Sequence, residues 1–159
     1  RSRLLPGVIF TMVTNDGGAT WKPVMTSAFG DLMKVRMKGM RGISLIDYDD
    51  GFYWPSEVTG LDLITGAATP IFRKSQIHVT DIALVGEAGI LLAGVESPGR
   101  LRMAAPRGKI KAIYSPNRTD WYEMKIDYRA EGTFARIARF TDGHFWIASN
   151  DGMILKLIP

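Results

Sequence analysis

The sequence predicts an all-β fold built from repeated antiparallel sheets. Three observations carry this expectation. The segment Thr14-Asn15-Asp16-Gly17-Gly18-Ala19-Thr20-Trp21 has the composition of a locked hairpin turn. A strand, x-Asp-Gly turn and aromatic strand recur along the chain. No segment of 10 or more residues carries a convincing helical pattern.

The turn at 14–21 has a direct physical logic. An Asp in a tight turn accepts hydrogen bonds from the backbone N–H groups that follow it. Gly17 and Gly18 reach the positive φ values such a turn demands. Trp21 opens the next strand and is expected to bury its ring back over the turn. The unit around it, 1–26, is read as partial, with strands near 8–13 and 21–25.

The recurring pattern is clearest between Ile43–Trp54 and Arg136–Trp146, each reading strand, Asp-Gly turn, aromatics and Trp. A looser copy spans Ile82–Ala93, and the mean period is about 46 residues, the size of a four-stranded blade. Units are therefore expected at 42–74, 79–127 and 133–159. Their strands fall near 43–48, 52–55, 59–64 and 69–73, then 80–85, 90–95, 109–114 and 121–126, then 134–140, 144–149 and 153–158. Ser115-Pro116-Asn117-Arg118-Thr119-Asp120-Trp121 looks like an eroded copy of the first turn, one residue shorter and with Asn in place of Asp. Asp62-Leu63-Ile64-Thr65-Gly66 reads as a turn between outer strands. The segment 29–40 fits a helix face through Phe29, Leu32, Met33, Met37 and Met40 or a strand through alternating Met33, Val35 and Met37. Its glycines favour an extended insertion.

The turn at 14–21 matches the Ser/Thr-x-Asp-x-Gly-x-Thr-Trp pattern of the Asp-box. Together with 145–156 it resembles the photosystem II stability/assembly factor-like propellers, within the wider sialidase-like Asp-box (BNR) repeat proteins. That resemblance implies a β-propeller present as an arc of about three to four blades. Such propellers carry six or seven blades, so the chain is expected to be a fragment or to complete a ring as a homo-oligomer. The family hosts glycosidases, assembly factors and binding modules alike. Its sialidases carry an arginine triad with a Phe/Tyr-Arg-Ile-Pro motif, which does not occur here.

Composition narrows the chemistry. With 46% hydrophobic and 23% charged residues the chain is globular in character. Cysteine is absent, which removes disulfides, thiol catalysis and thiolate metal ligands. No run of 18 apolar residues suggests a membrane-spanning helix. No compartment is indicated. Asp47, Asp49, Asp50, Gly51 and Glu57 fail the calcium-loop spacing, because the position that needs Gly is Phe52 and the terminal ligand position is Val58. His78 and His144 stand far apart with no metal spacing. His144 reads as a packed strand position, while His78 opens an inner strand near the expected ligand face. No Gly-x-Ser-x-Gly elbow or phosphate loop occurs. No catalytic residue, metal or cofactor is therefore assigned. Trp21, Trp54, Trp121 and Trp146 read as core.

The net charge is +4. Loops at 26–42, 55–58, 74–79, 96–108 and 127–133 are expected to share one face of a propeller. They carry Lys34, Arg36, Lys38, Arg41, Lys74, Arg100, Arg102, Arg107 and Arg129 against Asp31, Glu57, Glu96, Asp127 and Glu131. The candidate binding residues are Lys34, Arg36, Lys38, Arg41, His78, Arg100, Arg102 and Arg107. Thr14, Asp16, Gly18, Thr20 and Trp21 form the structural Asp-box. The expected partner is an acidic protein surface or a polyanionic or carbohydrate ligand. Nucleic acid is disfavoured, because the cations lack interleaved aromatics and no nucleic-acid-binding motif is present. The leading expectation is a non-catalytic binding or assembly module. The alternatives are a sialidase-like glycoside hydrolase fragment lacking its catalytic motif and a pure oligomerisation domain.

Overall fold

The computed structural model describes residues 8–48, 55–96, 107–127, 129–140 and 143–157. These residues form strands and turns with no helix. Strands β1 (Val8–Val13) and β2 (Lys22–Phe29) pair as a first sheet. The second sheet is a meander of β3 (Asp31–Lys38), β4 (Arg41–Asp47), β5 (Ser56–Asp62) and β6 (Ala67–Arg73). The third runs through β7 (Ile77–Val85), β8 (Gly89–Glu96) and β9 (Gly108–Ser115). Its outer strand is broken into β10 (Tyr122–Glu123) and β11 (Glu131–Gly132), both pairing with β9. The fourth holds β12 (Ala135–Arg139), β13 (Phe145–Ser149) and β14 (Ile154–Leu157). Every pairing is antiparallel.

The sheets pack face to face in chain order. One core joins the second sheet to the third: Ile43, Leu45 and Val58 meet Ile77, Val79 and Ile82. Another joins the third to the fourth, with Ala93, Val95 and Ile110 against Ala135 and Ile147. Residues Gly89 to Val95 of β8 are all buried, as a strand between two cores must be. A smaller cluster of Ile9, Ile46 and Tyr48 joins the first sheet to the second. The opening strands of the last three sheets lie side by side: β7 touches β3 on one side and β12 on the other.

The segment expected as an insertion is extended but is no loop. Residues 31–38 form β3, the leading strand of the second sheet, paired along β4 from Asp31↔Asp47 to Lys38↔Arg41. The reading missed it because Leu32, Met33, Val35 and Met37 stay exposed. Its alternation therefore lacks a buried face. The strand expected at 52–55 lies almost wholly outside the described residues. The second sheet thus begins at Asp31, so that 43–48 falls on its second strand, whereas 82–85 and 136–139 lie in the opening strands of their sheets. The last three sheets each open on a tight hairpin. Gly39, Gly86 and Gly143 sit at the β3–β4, β7–β8 and β12–β13 turns, each with positive φ.

Candidate functional site

The Asp-box turn is built as its residue types require. Thr14 Oγ1 donates to Asp16 Oδ1 at 2.7 Å and accepts from the Gly18 N–H at 2.8 Å. Asp16 Oδ1 accepts the Thr20 N–H at 2.8 Å, and Asp16 Oδ2 accepts the Thr20 hydroxyl. Gly17 and Gly18 take φ of 68° and 99°. These donors, led by the Thr20 hydroxyl, hold the Asp16 carboxyl down at about 2. Trp21 folds back and donates Nε1–H to Gly18 O at 3.0 Å, but its ring is 55% exposed. The expected burial of this indole is therefore corrected: the turn closes a sheet that has two strands among the described residues.

The eroded copy at 115–121 is closed by bonds of the same kind at shorter spacing. Ser115 Oγ accepts the Arg118 N–H at 2.8 Å, and Asn117 Oδ1 accepts the N–H groups of Thr119 and Asp120 at 3.0 and 2.9 Å. Arg118 takes φ of 69°, matching Gly17. Here the closing indole is half-buried: Trp121 packs on Phe72 of the second sheet with ring centroids 4.8 Å apart. The outer-strand turn is also as read, with Asp62 Oδ1 accepting from the N–H groups of Ile64 and Thr65 and Gly66 at positive φ. Trp146 is half-buried beside Phe140 at 5.6 Å, and Trp54 lies outside the described residues.

The candidate cations do not share one face. Lys34 reaches between sheets to the carboxylate of Asp81, which is 1% exposed. Lys38 pairs with Glu87 and donates to Gly86 O at 3.3 Å, beside the β7–β8 turn. Arg41 pairs with Asp62 at 3.1 Å at that same end. His78 lies at the opposite end, with Nε2 3.4 Å from Asp47 Oδ1. Arg107 is there too, 2.9 Å from Asp151 and 3.4 Å from Glu131, which also takes Lys109 at 2.7 Å. Arg129 is held by Asp127, whose carboxyl is pulled to about 2 chiefly by the guanidinium hydrogen bond. Arg36 is exposed on β3 and has no carboxylate partner among the described residues. Arg100 and Arg102 lie outside the described residues.

Two polar centres escaped the sequence reading. Asp81 links three sheets: besides Lys34, it accepts the Ile82 N–H at 2.7 Å and the Ile137 N–H of β12 at 2.8 Å. Thr80 adds a reciprocal pair with Ala135, and Arg136 donates to Thr80 O at 2.6 Å. The signal was available in Ile77-His78-Val79-Thr80-Asp81-Ile82, where a carboxylate interrupts an apolar strand. The second centre is the buried Glu57, which pairs with the exposed Arg73 and accepts from Tyr48 Oη at 3.1 Å and Thr59 Oγ1 at 2.9 Å. Burial, then the Glu57 charge, pushes the Tyr48 phenol up to about 12.

Cations and rings do interleave on the fourth sheet. Arg136 lies over Phe134 at 5.3 Å, Arg139 over Phe145 at 5.8 Å and Lys156 over Trp146 at 5.6 Å. Among the described residues no three His, Cys, Asp or Glu side chains are grouped to hold a metal ion. Nor do the described residues include a helix long and apolar enough to cross a membrane. No family model, curated protein or solved structure matches the chain.

Proposed function

We propose that the chain is a non-catalytic binding or assembly module. In this reading it is an arc of an Asp-box β-propeller, about three to four blades, that docks an acidic protein surface or polyanionic ligand. Serial stacking of meander sheets and the two turn locks of like bonding support the propeller. The docking role rests on one observation. Arg36 and Arg136, on leading strands that both flank β7, and Lys156 are exposed cations without carboxylate partners among the described residues. Six of the acids, by contrast, are spent on structure. Asp16 and Asp62 close turns, while Glu57, Asp81, Asp127 and Glu131 hold ion pairs. None of these is spare for acid–base chemistry of the glycosidase kind.

The test is binding of a polyglutamate peptide or heparin as a function of salt. Wild type is expected to bind with a steep salt dependence, because exposed charges act through screened attraction. Arg36→Ala with Arg136→Ala should weaken binding by about tenfold and flatten that dependence, since two such contacts contribute about 1.4 kcal/mol together. Arg107→Ala should matter less, its guanidinium already being shared by Asp151 and Glu131. Unchanged affinity in the double variant would reject the cationic reading.

A further inference from the structure

Two open surfaces of this molecule are the two halves of an interface already present inside it. We infer that a second copy of the chain joins them, the back of the fourth sheet of one copy stacking on the front of the second sheet of the next.

The back of the fourth sheet repeats the back of the third. In the third sheet Ala83 pairs with Leu91, and Ala93 follows on the same face of β8. Ala93 packs there against the fourth sheet with Ala135 and Ile147. In the fourth sheet Ala138 pairs with Trp146, and Ala148 follows on the same face of β13. Yet this copy is uncovered: Ala138 and Ala148 are exposed, as are Phe140 (56%) and Ile154 (67%). Small side chains between larger apolar ones, set as in a covered sheet, suit close approach of another sheet. Contiguous exposed apolar surface marks an interaction site.

The receiving half lies on β3. On the front of the second sheet Ser44 and Ile46 are buried, and Ile46 packs with Ile9 of the first. But among the described residues the first sheet has two strands and the second has four. The stripe Leu32, Val35 and Met37 shares that front, opposite Ile46, Ser44 and Gly42, and remains exposed. Its occupant would continue the interface between the first and second sheets.

Polarity and charge select a second copy in this orientation. The internal stacks run back to front, third on second and fourth on third, and the inferred contact keeps that sense. Arg136 and Lys156 lie on the open back face, whereas Lys34 and Lys38 of β3 reach from its opposite face toward the third sheet. No cation on β3 therefore opposes them. Two back faces stacked on each other would set those cations against their own copies. A back-to-front contact is heterologous, so it closes a ring or propagates.

The experiment is solution mass against concentration for wild type, Ala148→Glu, Met37→Glu and a one-to-one mixture of the two variants. Circular dichroism confirms that each is folded. Wild type should exceed the monomer mass increasingly with concentration, each variant alone should be monomeric, and the mixture should stop at a dimer through the two intact halves. Acrylamide quenching of tryptophan fluorescence in wild type should fall as the mass rises, which reads the contact even if a variant misfolds. A wild type that stays monomeric with unchanging quenching would overturn the inference. So would assembly lost in Ala148→Glu but kept in Met37→Glu, which indicates paired back faces. A chain that stays monomeric at every concentration while an acidic partner occupies this face would overturn it as well. Arg136 is the cross-strand partner of Ala148, so the polyanion test is read at a concentration where the chain is monomeric, and its failure leaves the mass series unchanged.

Discussion

At the residue scale, Asp16 shows how much an exposed carboxylate can be tuned by local bonds alone. Its pKa falls from 3.8 to about 2 because Thr20 and Thr14 donate to the charged form. A depressed carboxyl stabilises the folded state fully above its unfolded value, and that stability is lost as pH falls from about 3.8 toward 2. A carbon-detected titration should therefore place the Asp16 midpoint near 2, and Asp16→Asn should flatten the acid limb of the unfolding profile. A midpoint near 3.8 would mean that the lock does not form in solution. Tyr48 runs the other way: its phenol is held neutral up to about 12, so the unfolded chain ionises first. Stability from this group is present below about pH 10 and declines as pH rises toward 12. Tyr48→Phe should lessen the alkaline loss, as read by unfolding midpoints at rising pH.

At the scale of elements, the two box turns share bonds but not energetics. Trp121 bridges two sheets through Phe72, whereas the Trp21 ring is mostly in water. Trp121→Ala should cost about 3 kcal/mol, near the low end for core aromatics because the ring is only half-buried. Trp21→Ala should cost under about 1 kcal/mol, typical of an exposed site. Urea unfolding of both variants checks the contrast, and equal losses would contradict it. Arg118 sits where the first box has a glycine. Arg118→Val should cost about 1–2 kcal/mol, because a left-handed backbone suits β-branched residues poorly. Arg118→Gly should be near neutral, the relief of strain offsetting the entropy gained by the unfolded chain.

At the scale of the whole molecule, the leading strands are joined by one buried carboxylate. Asp81 binds Lys34 from β3, its neighbour's N–H on β7 and the Ile137 N–H on β12. Asp81→Ala leaves a half-buried ammonium and two N–H groups without their acceptor, and should cost about 3–5 kcal/mol. Lys34→Met should cost less, since both backbone donors still hold the carboxylate. A thermal-unfolding double-mutant cycle over these two positions should show coupling. Strict additivity would mean that the pair does not tie the sheets together.

Local chemistry was legible where a residue answers only to its neighbours in sequence. The Asp-box lock, its shortened copy at 115–121 and the Asp62 turn follow from short-range side-chain-to-backbone bonds, and so did the all-β class. The phasing of the second sheet was not legible, because β3 has no buried face and its Lys34 is satisfied only by Asp81, distant in the chain. The grouping of Lys38, Arg41, His78 and Arg107 on one face failed for a related reason. Loop membership was inferred from strand boundaries, and moving one strand sends these cations to opposite ends of the sheets. Sequence alone determined which turns the backbone can make. Which carboxylate meets which cation, which tryptophan is buried and which sheet face stays open were decided by stacking, since burial and long-range pairing depend on what the neighbouring sheet supplies.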